Sequence, residues 1–154
     1  MTTRIEVYIR EDLVDAAGEG LIKDIEDLNV KGAKSARFVR VTEIEGGISK
    51  GEARRIASEL LSDPVSQRHV IGEVSGPVVD GAWVIEVKFN KGVTDTVADT
   101  TLKGIADMGI AGATGAKTST KVILRGKISK SDVENIARRL LANSVIQSFS
   151  IAKS

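Results

Sequence analysis

The sequence matches itself when it is shifted by 80 positions, and this internal repeat is the strongest constraint on its fold. Residues 5–71 and 85–151 share 21 identities over 67 positions without a gap. Unrelated sequences of average composition would agree at roughly one position in sixteen. The chain therefore consists of two copies of one unit of about 70 residues.

A glycine-rich connection separates the copies, since residues 72–81 contain three glycines and one proline. We divide the chain into repeat 1 (residues 1–71), a linker (72–81) and repeat 2 (82–154). A unit of this size buries only about 60% of its unfolded surface and is marginal alone. We therefore expect the copies to share a core as an internal pseudo-twofold dimer.

Three strands are expected in each copy. The first alternates apolar and polar side chains, as in a half-buried strand with Glu6 and Glu86 facing outward. The second is long and apolar on both faces, which places it where the copies meet, with a bulge as the alternative. The expected spans are 5–9, 34–45 and 68–74 in repeat 1 and 83–89, 114–125 and 145–152 in repeat 2.

The first helix of each copy begins near an aspartate. Apolar residues recur at helical spacing over 14–28 and 97–108. We expect Asp15 and Asp95 in the first turn, facing the positive end of the helix dipole, and Thr94 as the second N-cap. The helices should stop at the residues best suited to a left-handed conformation, Asn29 and Gly109.

The second helix carries the clearest local signal. Ser49 precedes Glu52 by three residues, and Ser129 precedes Asp132 in the same way, as in a capping box. An apolar stripe follows in both copies. The resulting order, strand, helix, long strand, helix, strand, predicts an α+β fold of two β-α-β-α-β repeats, with antiparallel sheets and helices on one face.

The composition excludes several classes of site. No cysteine is present and His69 is the single histidine, so disulfides, thiol nucleophiles and His-rich metal sites are excluded. A net charge of +1 and only five aromatic residues argue against nucleic-acid binding. No apolar run is long enough to span a membrane and no leader precedes the first strand, so we expect a cytoplasmic protein.

No catalytic, cofactor-binding or metal-binding residue is expected on this chain. His69 aligns with Phe149 and is interpreted as a structural or surface histidine. The glycine-rich stretch 104–115 lacks the pattern of a phosphate loop and follows a helix. The long strands also carry basic residues, which form either a solvated face or a surface for an acidic partner. They are Arg37, Arg40, Lys117 and Lys121.

Short segments in a common order carry a family resemblance. Leu-Leu-Ser-Asp-Pro-Val at 60–65 and Leu-Leu-Ala-Asn-Ser-Val-Ile at 140–146 end the second helices, Asp15 and Gly18 enclose a turn, and Arg37 lies on the long strand. In these features each copy resembles PurS, the small subunit of phosphoribosylformylglycinamidine synthase, whose members are single units that pair as dimers. The chain thus resembles a tandem fusion of two PurS units.

Repeat 2 also resembles the N-terminal PurS-like region of the single-chain large synthase. The similarity lies in residues 92–95, 118–119, 124–126 and 141–147. Both copies depart from the family, because Ala16 and Thr96 replace the turn proline and Ala98 replaces its glycine. The two halves are therefore expected to contact partners unequally.

The resemblance implies a non-catalytic structural subunit of an ATP-dependent ligase complex in purine biosynthesis. In that complex a PurQ-type glutaminase releases ammonia from glutamine, and a PurL-type synthetase uses ATP and Mg to activate formylglycinamide ribonucleotide. The small subunit bridges the two and assists ammonia transfer, with no cofactor of its own. The positions that we expect to contact partners are Asp15, Gly18, Arg37, Asp95 and Lys117.

A different function class stays open. Paired small α+β units also form regulatory modules that bind a small molecule, such as an amino acid, at their twofold interface. Such a module needs a backbone-lined pocket and is stabilised thermally by its ligand. The sequence also leaves open whether the fused chain associates further with itself.

Overall fold

The computed structural model describes residues 1–72 and 81–153, so most of the expected linker and the end of the first closing strand (residues 73 and 74) lie outside the described residues. Repeat 1 contains β1 (Thr2–Ile9), α1 (Ala16–Asp27), β2 (Ala33–Gly46), α2 (Lys50–Arg55) and β3 (Gln67–Ile71). Repeat 2 contains β4 (Trp83–Phe89), α3 (Thr96–Asp107), β5 (Ala113–Gly126), α4 (Lys130–Ile136) and β6 (Gln147–Lys153). The expected order and the α+β class are confirmed.

The six strands form one antiparallel sheet in the order β3-β1-β2-β5-β4-β6. The long strands β2 and β5 pair at its centre, where Arg40 lies opposite Thr120, its own counterpart 80 residues later. A pseudo-twofold axis therefore passes through this pair. The long strand lies where the copies meet, as expected, and irregularities of register occur only near its ends, at Ala33/Ser35 and Glu45/Gly46.

All four helices pack on one face of the sheet as two pairs, α1 with α4 and α2 with α3. Each pair takes one helix from each repeat. Under α1 and α4, residues of α1 such as Ile25 are buried with Ile85 and Ile136 of repeat 2. Under α2 and α3, Ile105 of repeat 2 is buried with Ile5 and Ile56 of repeat 1. Burying one such side chain contributes about 1.5–3 kcal/mol. Neither repeat closes its core alone, which confirms the shared core.

The second helices begin as predicted and end in a wider turn. Ser49 and Glu52 form both bonds of a capping box, whereas Ser129 accepts from the N–H of Asp132. After α2 and α4 the chain continues as π-helical segments, Ile56–Leu61 and Ala137–Leu141, which carry the leucine pairs of the apolar stripe. The sequence stripe could not distinguish this geometry from an ordinary α-helix.

The first helices begin differently from the prediction. Asp15 and Asp95 are the N-caps themselves, because their side chains accept from the backbone N–H three residues on, so Thr94 is not a cap. The predicted apolar positions Val14 and Val97 are 67% and 59% exposed. The helix ends are as expected, with Asn29 and Gly109 at φ 61° and 80°. The buried positions are Gly18, Leu21 and Ile25 in α1 and Ala98, Thr101 and Ile105 in α3.

Candidate functional site

Asp15 and Asp95, two of the predicted contact residues, fix the first helix of each repeat to the long strand. One oxygen of each carboxylate caps its helix, and the other accepts from the long strand. These second bonds run from Phe38 N to Asp15 Oδ2 at 2.8 Å and from Thr118 N to Asp95 Oδ2 at 2.7 Å. Thr118 also donates its hydroxyl to Asp95. Both carboxylates therefore have a structural use within the chain.

Gly18 lies where α1 approaches the backbone of β2 most closely. A Cβ added at this position would overlap the carbonyl oxygen of Ala36. Repeat 2 accommodates Ala98 at the equivalent position, where it is 1% exposed. The glycine is therefore needed for helix packing in repeat 1, and the two repeats differ slightly in the approach of helix to strand.

Arg37 and Lys117 are counterparts with different surroundings. The Arg37 guanidinium donates to the carbonyls of Arg10, Glu11 and Leu13 at 3.4, 3.1 and 2.9 Å, which fixes the loop between β1 and α1. The Lys117 side chain is 76% exposed and lies 4.0 Å from Glu45. A cationic side chain on the long strand is thus structural in one repeat and available in the other.

The five predicted contact residues form two places and not one. Asp15, Gly18 and Arg37 line one surface cavity of about 600 Å³ beside α1. Asp95 and Lys117 lie at the pseudo-symmetric position on β5 and α3. A protein that contacted both places would have to span the pseudo-twofold axis, and two unlike partners could occupy them separately.

His69 lies exposed on β3, with its Nδ1 atom 3.4 Å from the hydroxyl of Ser62. No sequence motif predicted this contact. The Ser62 hydroxyl donates to the carbonyl of Ala57 at 2.6 Å, so its proton is directed away from the imidazole. Repeat 2 holds Ala142 and Phe149 at these positions. The pair therefore lacks the arrangement of a base beside a nucleophile.

Four charged side chains form a network on the second face of the sheet, on which no described helix packs. Glu6 faces away from the helices, as the alternation predicts, but it is completely buried there. It accepts from Lys121 Nζ at 2.7 Å and from Arg4 Nε at 2.8 Å. Arg4 also donates to Glu86 at 2.6 Å. Two residues of each repeat are therefore tied together across the central strands.

The surroundings of Arg4 and Glu86 shift the pKa values of both residues. Burial of Arg4 opposes its charge, but the hydrogen bonds and negative charges of Glu86 and Glu6 raise the pKa of Arg4 above its ordinary value. Burial of Glu86 disfavours its charge too, yet Arg4 and nearby lysines lower the pKa of Glu86 below its ordinary value. Both shifts favour the charged forms of Arg4 and Glu86, whose ion pair links the two repeats.

A groove of about 710 Å³ lies on the helix-covered face; we call it the polar groove. Its floor includes the central pair Arg40 and Thr120. Its walls come from α3 and from the end of the π-helical segment of repeat 1, where the Arg40 guanidinium donates to the carbonyl of Leu61 at 3.1 Å. Hydroxyl-bearing residues are frequent along it. They are Thr42, Ser62, Thr100, Thr101, Thr118, Ser119 and Thr120.

A second groove occupies the pseudo-symmetric position and measures about 330 Å³; we call it the apolar groove. Phe38 and Leu21 stand where the polar groove has Thr118 and Thr101. Val122 replaces Thr42 in the same way. The same backbone framework therefore carries two grooves of different size and chemistry, a difference that can be found in the sequence only by comparing the copies position by position.

Two further features are absent from the described ranges 1–72 and 81–153. These ranges contain no group of three or more histidine, cysteine, aspartate or glutamate residues arranged to hold a metal ion. No helix in this part of the chain combines the length and apolar character needed to cross a membrane.

Comparison with known proteins gives a family match for repeat 2. Residues 82–154 match the PurS family model, described as phosphoribosylformylglycinamidine (FGAM) synthase. This region covers slightly less than half of the chain and coincides with the second copy. No curated protein matches the chain. The family match supports the resemblance drawn from the segments of repeat 2.

Proposed function

We propose that the chain is two fused PurS units that together form a structural subunit of phosphoribosylformylglycinamidine synthase, the ligase complex of purine biosynthesis. The family match of residues 82–154 carries this proposal. Its extension to repeat 1 is supported by the recurrence of every helix and strand about 80 residues later in the chain. The pseudo-twofold sheet then takes the place of a dimer of separate chains.

In this proposal the chemistry belongs to the partners. A PurQ-type glutaminase releases ammonia from glutamine, and a PurL-type synthetase with ATP and Mg activates the ribonucleotide amide. The chain bridges the two in the cytoplasm, assists ammonia transfer and needs no cofactor of its own. Two related but unequal contact places, one at Arg37 and one at Lys117, suit a subunit that meets two unlike partners.

Among the predicted contact residues, Lys117 is the one best placed to touch a partner directly. The side chains of Asp15 and Arg37 bond to the chain itself, and Gly18 is buried. Asp95 likewise holds α3 to β5. We propose that these four residues shape the contact surfaces, whereas Lys117 supplies a cation to an acidic group of a partner.

Two exposed valines are further contact candidates. Val65 and Val145 are 74% and 82% exposed at equivalent turns, within the segments that resemble PurS. Each turn is closed by a side chain of Asp63 or Asn143, which accepts from the backbone N–H of the valine. A partner that covers these valines would remove their apolar surface from water, which favours association.

Complex formation tests the proposal. The purified chain is mixed with PurL-type and PurQ-type subunits, and the mass of the assembly is measured by size-exclusion chromatography with light scattering. We expect one assembly that contains all three proteins and is weakened by Lys117→Glu or by Val65→Ser with Val145→Ser. The control Lys103→Glu makes the same charge change on the exposed side of α3. Failure of the three proteins to associate at any ratio would refute the proposal.

A further inference from the structure

The polar groove differs from the apolar groove at four aligned positions that carry threonine. Where the apolar groove has Leu21, Phe38 and Val122, the polar groove has threonine, and where it has Gly20, the polar groove has Thr100. The central pair adds Arg40 on the side of repeat 1. Each of these differences adds a polar group to the polar groove. The shared fold does not require these groups, because the other repeat forms the same elements without them.

Arg40 has hydrogen-bonding capacity to spare. Its guanidinium makes one hydrogen bond, to the carbonyl of Leu61, and no ion pair to Arg40 is present within the described residues. Among the described residues, Asp63 is the only acid that lines the groove, and its carboxylate already accepts from Val65 N and the Ser66 hydroxyl. A guanidinium offers five donors in a fork that matches a carboxylate or a phosphate.

The floor next to Arg40 offers further donors. The hydroxyls of Thr42 and Thr120 make no hydrogen bond to the part of the chain that the structure describes, whereas Thr101 and Thr118 donate to Val97 and Asp95. Apolar walls face these hydroxyls. They are formed by Val7, Val87, Leu60, Phe89 and Val97. A volume of about 710 Å³ lies in the range of small-molecule sites.

We propose that the polar groove binds a small organic oxyanion, a carboxylate or a phosphate monoester. Its acidic group is held by Arg40 with the hydroxyls of Thr42 and Thr120, and its organic part lies against the apolar walls. One cation suits one acidic group, which excludes a polyanion such as a nucleic acid from this groove. The polar groove lies beside the pseudo-twofold axis and is lined by residues of both repeats, so a ligand would contact both.

Binding of simple probes to the chain alone tests this site, so its outcome is independent of the proposed complex. The probes are benzoate, phenyl phosphate and inorganic phosphate, with benzyl alcohol as the uncharged control. Backbone amide shifts are followed by NMR during titration. We expect saturable shifts at Thr42, Thr118 and Thr120 with benzoate or phenyl phosphate, and much weaker binding of benzyl alcohol. The two organic anions distinguish a carboxylate site from a phosphate site.

Variants locate the binding. Arg40→Gln should weaken binding of the anionic probe on the order of tenfold or more, because charge-assisted hydrogen bonds are lost. Arg54→Gln removes the same charge from an exposed position of α2 and should leave binding unchanged. Thr118→Phe copies the filling of the apolar groove and should block binding. Absence of saturable shifts with all three anions, or equal affinity in Arg40→Gln, would overturn the proposal.

Discussion

The two grooves stand at pseudo-symmetric positions, yet one measures about 710 Å³ and the other about 330 Å³. Five pairs of buried positions under the helices behave in the opposite way, because they are identical in both copies. These pairs are Ile5 and Ile85, Val7 and Val87, Ile25 and Ile105, Ile56 and Ile136, and Ala57 and Ala137. The difference separates the residues that the shared fold requires from those that have diverged around it.

Exchanging a residue for its counterpart in the other repeat tests which differences matter. We expect the largest effect from Lys121→Val, which copies Val41. It removes the ammonium group that binds the buried Glu6, while Arg4 stays. We therefore expect the free energy of unfolding to fall by about 3 kcal/mol, near the lower end of the range for breaking a buried ion pair. The free energy of unfolding is measured by urea denaturation monitored by circular dichroism.

Lys117→Val on the same strand and the same face is the control for this exchange. Its side chain is exposed, so the free energy of unfolding should change by less than about 0.5 kcal/mol. Equal losses in Lys117→Val and Lys121→Val would show that the ion pair to Glu6 contributes nothing specific.

The exchange Gly18→Ala, which copies Ala98, should cost about 2 kcal/mol because the new methyl group overlaps the carbonyl oxygen of Ala36. Gly20→Ala on the same helix is the matched control, since nothing lies within 4 Å of a Cβ there. That control should stabilise the protein by about 0.5 kcal/mol. A stabilising Gly18→Ala would contradict the close approach of α1 to β2.

Phe38→Thr copies Thr118 and should open the apolar groove. The ring is half-buried, so we expect a loss of about 1.5 kcal/mol in the free energy of unfolding, less than for a fully buried phenylalanine. The opened groove should not bind benzoate, because it lacks Arg40. Saturable binding of benzoate in the opened groove would show that size alone, and not the guanidinium, selects the ligand.

The charge network predicts a pH dependence. The pKa of Glu86 is lower in the folded chain than its ordinary value of 4.5. The ionised carboxylate therefore stabilises the folded state, and this stabilisation is fully present above pH 4.5. The contribution is lost as the pH falls below 4.5 through the folded pKa. Glu86→Gln should therefore cost about 1 kcal/mol at neutral pH and progressively less in acid. If the free energies of unfolding of the unchanged chain and of Glu86→Gln differ by the same amount from pH 7 to pH 3, this coupling is refuted.

The smallest effect is expected at the end of α1. Asn29 adopts φ 61°, and its counterpart Gly109 adopts φ 80°. Glycine reaches this conformation without a steric penalty, so Asn29→Gly should stabilise the protein by about 0.5 kcal/mol. The reverse exchange, Gly109→Asn, should destabilise it slightly. If both changes destabilise, a side-chain contact of Asn29 must outweigh its backbone cost.

The repeat predicted most of the fold, because its buried positions follow a local apolar periodicity that recurs in the second copy. The sequence missed features that depend on the third dimension. Asp15 caps α1 because β2 holds its second oxygen, and Glu6 is buried because Lys121 reaches it from a strand two positions away in the sheet. Neither contact has a local signature in the sequence.

The candidate sites were less predictable than the fold. Arg37 and Lys117 occupy equivalent positions, but only the structure distinguishes a cation that holds its own loop from one whose side chain is exposed. The polar groove was not predicted, since its lining comes from both repeats and combines strands of the sheet with α3 and the π-helical segment of repeat 1. Its one signal was the substitution of threonine for apolar residues between the copies, which becomes meaningful only when those positions are known to be neighbours.

The most direct test of the proposed function is the rate at which purified PurL-type and PurQ-type subunits amidate formylglycinamide ribonucleotide, measured with and without this chain. Glutamine is supplied in one series and ammonium in the other. We expect the glutamine-dependent rate to require the chain, the ammonium-dependent rate to depend on it less, and the chain alone to be inactive. Equal glutamine-dependent rates with and without the chain, or turnover by the chain alone, would contradict the proposal.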